Sequence, residues 1–181
     1  MRIVSGAYKG RLIKPPKNFK ARPTTDFAKE NLFNILNNNF DFSELDVLDL
    51  FSGTGSISYE FASRGCNSVV SVESNFKHQI FIKKTIEELV LENVKSIKSD
   101  AFRYVKSCTN KFDIVFADPP YDLKEMESIP DFIFEQEVLQ DNGWLIVEHG
   151  DKTNFSKHKH FKEVRKYGGV NFSIFEVYKT E

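Results

Sequence analysis

Cysteine is scarce in this chain of 181 residues: Cys66 and Cys108 are the only two. Their separation matches neither a zinc site nor a redox motif, and two thiols fit a reducing compartment with both in structural roles. Long apolar runs are missing as well. No window approaches the roughly 18 apolar residues of a membrane span, and no apolar stretch precedes a cleavage-like site at the amino terminus. Neither an anchor nor a leader is indicated, and the expected location is the cytoplasm. There is no internal repeat and no low-complexity linker. His78, His149, His158 and His160 form no triad and no ligand pattern with cysteines or acids, so they read as surface or packing residues and no metal is expected.

Acidic residues are absent from positions 1–25, which hold Arg2, Lys9, Arg11, Lys14, Lys17, Lys20 and Arg22 for a charge of +7. The remainder carries 18 bases and 26 acids, so a net charge of −1 conceals a basic arm on an acidic body. Clustered cations gain by releasing condensed counterions, which makes the arm a polyanion-binding surface; a solvated tail without a partner is the other reading. With 40% hydrophobic residues and 18 phenylalanines, the chain is long enough for one domain with a Phe-rich core. No obligate protein partner is evident.

Within the arm, Arg2 to Ser5 and Arg11 to Lys14 read as short strands separated by Gly6 and Gly10, and Pro15-Pro16 ends the second. Arg22-Pro23-Thr24-Thr25-Asp26 reads as a helix start with a Thr cap, followed by Ala28, Leu32, Ile35 and Leu36 on one helical face. From about residue 45 strands and helices alternate. Strands are predicted at 46–51, 68–73, 94–98, 112–117, 143–148, 159–167 and 172–179, and helices at 55–64, 75–90, 101–107 and 128–139. This is an α/β pattern: a mostly parallel seven-stranded sheet with helices on both faces and an antiparallel hairpin through Gly168-Gly169. We read residues 1–181 as one domain, with 1–40 a basic extension and 41–181 the core.

Two stretches carry chemistry. Asp49-Leu50-Phe51-Ser52-Gly53-Thr54-Gly55-Ser56-Ile57-Ser58 joins the first core strand to its helix, and its two glycines let backbone approach a ligand. Glu73 follows Gly53 by 20 residues at the end of the next strand, where a carboxylate takes ribose hydroxyls. Nicotinamide dinucleotide sites share that spacing, but Asp49 would face and repel a phosphate, and Ser58 stands at the third fingerprint position. S-Adenosylmethionine presents a sulfonium and an ammonium there instead, for which a carboxylate is favourable. Asp100-Ala101 ends the third strand; Asp100 reads either as an acceptor for the adenine amino group or as a helix cap, and the two are compatible. Phe102 is placed to flank the adenine.

The second stretch, Asp118-Pro119-Pro120-Tyr121, follows the apolar run Phe112 to Ala117 at a strand's carboxyl end, where open α/β sheets bind ligands. The prolines remove two amide donors, so acceptors outnumber donors. An exocyclic base amine is a poor nucleophile; accepting its protons with Asp118 and the Pro119 carbonyl restores density to nitrogen, and Tyr121 offers a stacking face. The set suits methyl transfer to a planar amine.

At this point the chain resembles the bacterial small-subunit (16S) ribosomal RNA guanine-N2 methyltransferases of the RsmD type. The likeness rests on Met1 to Gly6 with Lys9-Gly10-Arg11, on Arg22 to Asp26 through Glu30, Leu32, Phe33 and Asn34, on the glycine loop and on Asp118 to Tyr121. It covers nearly the whole length. The resemblance implies a class I, Rossmann-like methyltransferase using S-adenosylmethionine and releasing S-adenosylhomocysteine. It implies a cofactor site of Asp49, Phe51, Gly53, Gly55, Glu73, Ser74, Asp100, Ala101 and Asp118, with Asp118, Pro119, Pro120 and Tyr121 on the target base. It also implies that Arg2, Lys9, Arg11, Arg22, Thr24 and Thr25 contact ribosomal RNA, free or in an assembling small subunit. Phe27 and Lys29 stand where the family usually has Arg, which weakens that helix as a phosphate clamp. The rival readings are the same chemistry on DNA adenine N6 or a protein glutamine, a non-catalytic RNA-binding relative, and an NAD-dependent oxidoreductase.

Overall fold

The computed structural model describes residues 1–17, 19 and 25–177. Seven strands form one sheet: β1 (Asp46–Leu50), β2 (Ser68–Glu73), β3 (Val94–Lys98), β4 (Phe112–Ala117), β5 (Leu139–His149), β6 (Phe161–Tyr167) and β7 (Val170–Glu176). Their order is β3-β2-β1-β4-β5-β7-β6. The first five are parallel, and β7 runs antiparallel between β5 and β6. Chain order reverses between β1 and β4, so their carboxyl ends border the crevice in which open α/β sheets bind ligands.

Among the described residues, five α-helices flank the sheet: α1 (Asp26–Asn37), α2 (Ser56–Ser63), α3 (Phe76–Leu89), α4 (Ala101–Ser107) and α5 (Ile129–Glu135). Successive strand residues point to opposite faces. Val47, Ile114, Phe116 and Ile146 therefore join a core with Leu32, Phe33, Ile57 and Phe61 from α1 and α2. Leu48, Val115, Ala117 and Leu145 join a second core with Val105, Ile129 and Ile133 from α4 and α5. Burial on both faces accounts for the unbroken apolar runs. Phe33, Phe61, Phe112, Phe116, Phe172 and Phe175 are among the largest fully buried side chains.

The structure departs from the sequence-based expectation at several ends. The last helix stops at Glu135 rather than 139, because the chain reverses through a left-handed Glu137 (φ 51°). β5 then starts at Leu139, four residues early, and bulges through a left-handed Asn142 (φ 61°), so that pairing with β4 jumps from Phe112–Leu139 to Ile114–Trp144. Tyr167 pairs with Val170 across the two-glycine turn, so β7 begins at 170 rather than 172; residues 178 and 179 of the predicted strand lie outside the described residues. The amino-terminal hairpin forms as a short pairing around the Arg2–Leu12 bridge, with backbone bonds between Met1 and Ile13, from Ile3 to Arg11 and from Gly10 to Ile3. It stops short of Ser5 because the Val4 and Ser5 amides donate to Glu60 of α2, at 2.8 and 3.0 Å.

Candidate active site

The loop after β1 is held by two acids. Asp49 is buried on β1, and its Oδ2 accepts both the backbone amide of Ser58 (3.1 Å) and the Ser58 hydroxyl. The serine at the third fingerprint position thus ties the strand to the first turn of α2. Burial raises the Asp49 carboxyl to about 7, with the Ser58 bonds opposing the rise and Glu73 adding to it. Glu73 accepts the Gly53 amide at 2.8 Å with one oxygen and the Asn75 amide at 2.6 Å with the other. Between them the backbone takes left-handed conformations at Phe51 (φ 60°), Gly53 (φ 55°) and Gly55 (φ 81°). A Cβ on Gly55 would lie 2.5 Å from the Tyr59 ring, so that position requires glycine.

Phe51 meets the edge of Phe102, which packs in turn on Phe132. Ser74 is exposed beside Glu73, and Ala101 is buried as the first residue of α4. Asp100 caps α4, its Oδ1 accepting the Arg103 amide at 2.9 Å.

The Asp118 to Tyr121 segment leaves β4 directly beside β1, with the Asp118 amide directed at the Leu50 carbonyl at 3.4 Å. Pro119 is buried and Pro120 exposed; the Pro120 carbonyl accepts the Leu123 amide at 2.9 Å, closing a turn. Tyr121 is 53% exposed, an accessible aromatic face beside the crevice. The Asp118 carboxyl is held well above the ordinary carboxylate range, chiefly by burial, then by the nearby Glu148 and Asp49 charges.

Glu148 is the site residue that the sequence reading missed. It is buried on β5, one step beyond the Ala117–Val147 pair, and so stands beside Asp118. Its sequence signal was available: an acid closes the apolar run Trp144 to Val147. With it, five adjacent strands in the order β3, β2, β1, β4, β5 each carry an acid at or just past the carboxyl end: Asp100, Glu73, Asp49, Asp118 and Glu148.

The basic extension is bolted to α2. Besides the two amides on Glu60, the Ala7 amide donates to the Ser63 carbonyl (2.7 Å) and the Tyr8 amide to the Ser63 hydroxyl (3.0 Å). Gly6, at φ 82°, approaches so closely that a Cβ would sit 1.8 Å from the Ser63 carbonyl oxygen. Arg2, Lys9 and Arg11 are exposed, with Arg2 paired to Asp26 at 3.2 Å. Thr25 caps α1 through the Ala28 amide at 3.2 Å. Arg22 and Thr24 lie outside the described residues.

Lys29 is not available to an RNA phosphate. It is 1% exposed, with its Nζ donating to the Arg2 carbonyl and Ser56 Oγ and lying 3.7 Å from Glu60, which also pairs with Arg64. Burial lowers its pKa, against the raising influence of Glu60. Lys29 fastens the extension to α2 and faces no solvent.

His149 bonds Ser173 at 2.8 Å and His160 stacks on Phe134 at 4.0 Å, both as packing residues. The Cys66 thiol is pushed up to about 12 by burial, which keeps it protonated. Among the described residues no group of three His, Cys, Asp or Glu is placed to hold a metal. No helix among them is long and apolar enough to cross a membrane. A shallow recess of about 730 Å³ lined by Ser5, Gly6, Asn39, Asp41 and Arg64 contains none of the expected site residues.

A parallel sheet of this order, ending in an antiparallel β7 and edged with acids at its switch point, defines the class I methyltransferase fold. The precorrin-6y C5,15-methyltransferase of Geobacter metallireducens GS-15 superposes with a TM-score of 0.70 at 16% identity, over 92% of this chain and 94% of its own. A hypothetical protein of Thermus thermophilus gives 0.86 at 22% identity, over 98% and 99%. In sequence, the ribosomal RNA small subunit methyltransferase D of Haemophilus influenzae is 32% identical over 152 residues, 82% of this chain and 78% of the relative. Residues 1–176 match the family described as Conserved hypothetical protein 95, and the chain belongs to that family.

Proposed function

We propose that this protein methylates the exocyclic N2 amine of a guanine in small-subunit ribosomal RNA, using S-adenosylmethionine and releasing S-adenosylhomocysteine. The observation that carries the reading is the row of five strand-end acids with Asp118 to Tyr121 at the switch point. The donor set fits the cofactor. Asp49 and Asp118 are both held toward their neutral forms by burial and by neighbouring acids, and a sulfonium or ammonium would restore their charge. A dinucleotide phosphate would add repulsion at the same place. Bound there, the cofactor supplies a methyl group already activated on sulfur.

The chain's own contribution is positioning and proton acceptance. Glu73 and the left-handed Gly53 and Gly55 shape the loop over the ribose, Phe51, Ser74 and Ala101 border it, and Asp100 has its second oxygen for the adenine amine. Asp118 and the Pro119 carbonyl accept from the guanine amine, while Tyr121 stacks on the ring. Orientation of this kind is worth about 7–11 kcal/mol. Asp118 acts first as hydrogen-bond acceptor and then as proton acceptor, and its raised pKa suits the second task. Burial raises that pKa first, and Glu148 on β5 adds to the rise. The target base must be looped out or flipped to reach the segment. Arg2, Lys9 and Arg11 on the docked extension engage the phosphates, and Arg22, Thr24 and Thr25 are assigned to the same RNA contact by the family resemblance. The substrate is the RNA itself or an assembling small subunit, and the rRNA methyltransferase relative supports that assignment.

Single-turnover methyl transfer by Asp118→Ala tests the roles. The chemical step is expected to fall about 10²- to 10⁴-fold, with S-adenosylhomocysteine affinity by calorimetry largely kept. Unchanged turnover would remove Asp118 from the mechanism.

A further inference from the structure

Phe27 is 64% exposed in the first turn of α1, an unusual place to leave a large apolar ring. It is held in place. Its ring meets Tyr167 edge-on at 6.0 Å and 85°, and Tyr167 in turn rests on the fully buried Phe172 at 6.1 Å. The pair is thus anchored to the core while one aromatic face stays in solvent.

Topology places this pair on the working edge of the sheet. β6 is antiparallel to β7, and β7 to β5, so β6 runs parallel to β5 and its end, Tyr167, lies on the edge that carries Glu148. In register, Glu148 faces Phe172 and Phe172 faces Arg165, which leaves Tyr167 two residues beyond that row. β6 is three strands from β4, about 14 Å at the usual strand spacing. The reach from Asp118 to Phe27 is therefore a few nucleotides of extended RNA.

The flanking charge matches such a strand. Arg2 is bound to Asp26, the neighbour of Phe27, and Arg11 is exposed on the same hairpin. Arg165 and Lys166 are exposed near the end of β6, where Arg165 pairs with Glu163 at 2.5 Å and Lys166 with Asp151 at 2.6 Å, surface pairs that phosphate oxygens can enter. Stacking on an anchored aromatic with cations alongside is how proteins grip single-stranded nucleic acid without reading its sequence.

We propose that Phe27, backed by Tyr167, is a stacking platform for an unpaired base of the RNA, a few nucleotides from the one held at Asp118 to Tyr121. The proposal rests on the reading of the substrate as RNA, but its test does not require methyl transfer.

The full-length protein is titrated into a fluorescein-labelled oligoadenylate of about ten nucleotides, over a series of salt concentrations, and followed by anisotropy. Phe27→Ala is expected to weaken binding about 5- to 150-fold with the salt slope unchanged, because no phosphate contact is lost. Phe27→Trp should bind as the parent does, and Phe27→Leu should fall with Phe27→Ala. Equal binding by Phe27→Ala and the parent would overturn the platform, as would no binding by the parent. A shallower salt slope in Phe27→Ala would overturn it by showing a displaced arm. Full binding by Phe27→Leu would overturn it by showing an unspecific apolar contact, the behaviour of a protein-docking patch. If the expected pattern appears while the parent transfers no methyl group to RNA, the platform stands and the catalytic reading fails.

Discussion

Asp49 takes part in two demands that pull against each other. Its burial and its bonds to Ser58 fix α2 to β1, and the same burial raises its carboxyl from 3.8 to about 7. In the protein alone this works against stability as pH rises from about 4 to 7, because the unfolded chain ionises first. A cationic ligand reverses the preference. Affinity for S-adenosylmethionine should therefore rise about tenfold between pH 6 and 8, and Asp49→Asn should flatten that dependence; calorimetry at several pH values checks both. Asp118 obeys the same logic with Glu148 as its like-charged neighbour. Glu148→Gln removes that charge, lets Asp118 ionise at lower pH, and should move the acid limb of the kcat/KM profile downward. An unmoved limb would detach Glu148 from the site. Asp49, Glu73, Asp100 and Asp118 were legible in the sequence because each ends a predicted strand at a loop with ligand-binding character. Glu148 is marked only by closing an apolar run, because its strand end leads into no recognisable motif.

Among the elements, α2 joins the two halves of the function. Its first turn is capped by Asp49 under the glycine loop, and its last turns present Glu60 and Ser63 to the extension. The grip depends on Gly6. A methyl group there would meet the Ser63 carbonyl at 1.8 Å, on top of about 1–2 kcal/mol for a left-handed backbone. Gly6→Ala should undock the hairpin, so RNA affinity by filter binding falls while S-adenosylhomocysteine affinity holds; parallel losses of both would mean that the extension supports the cofactor loop as well. None of this was readable beforehand. A hairpin reads from its glycines and apolar alternation, but its docking relies on backbone amides, which the residue pattern does not mark. Lys29 misleads in a related way, since a basic residue at a helix position reads as solvated unless its buried partner is known.

For the whole molecule, the alternation of strand and helix was enough to give a parallel sheet with a terminal hairpin, because strands buried on both faces leave continuous apolar runs. The order β3-β2-β1-β4-β5-β7-β6 follows from long-range pairing that local pattern does not encode. That order makes separate acids into one row and brings the Phe27–Tyr167 pair to the same edge. The charge asymmetry has its counterpart here: the hairpin that carries the exposed Arg2, Lys9 and Arg11 is fixed against a body whose acids edge the crevice. On the proposed function, anionic RNA would be drawn to the arm and the cationic donor to the edge. The most direct measurement supplies the protein with methyl-labelled S-adenosylmethionine and small-subunit ribosomal RNA, naked and in assembling particles, then identifies the labelled nucleoside by mass spectrometry. The account predicts N2-methylguanosine with the parent protein and near-background label with Asp118→Ala. Label on another nucleoside, or on none with either substrate, would contradict it.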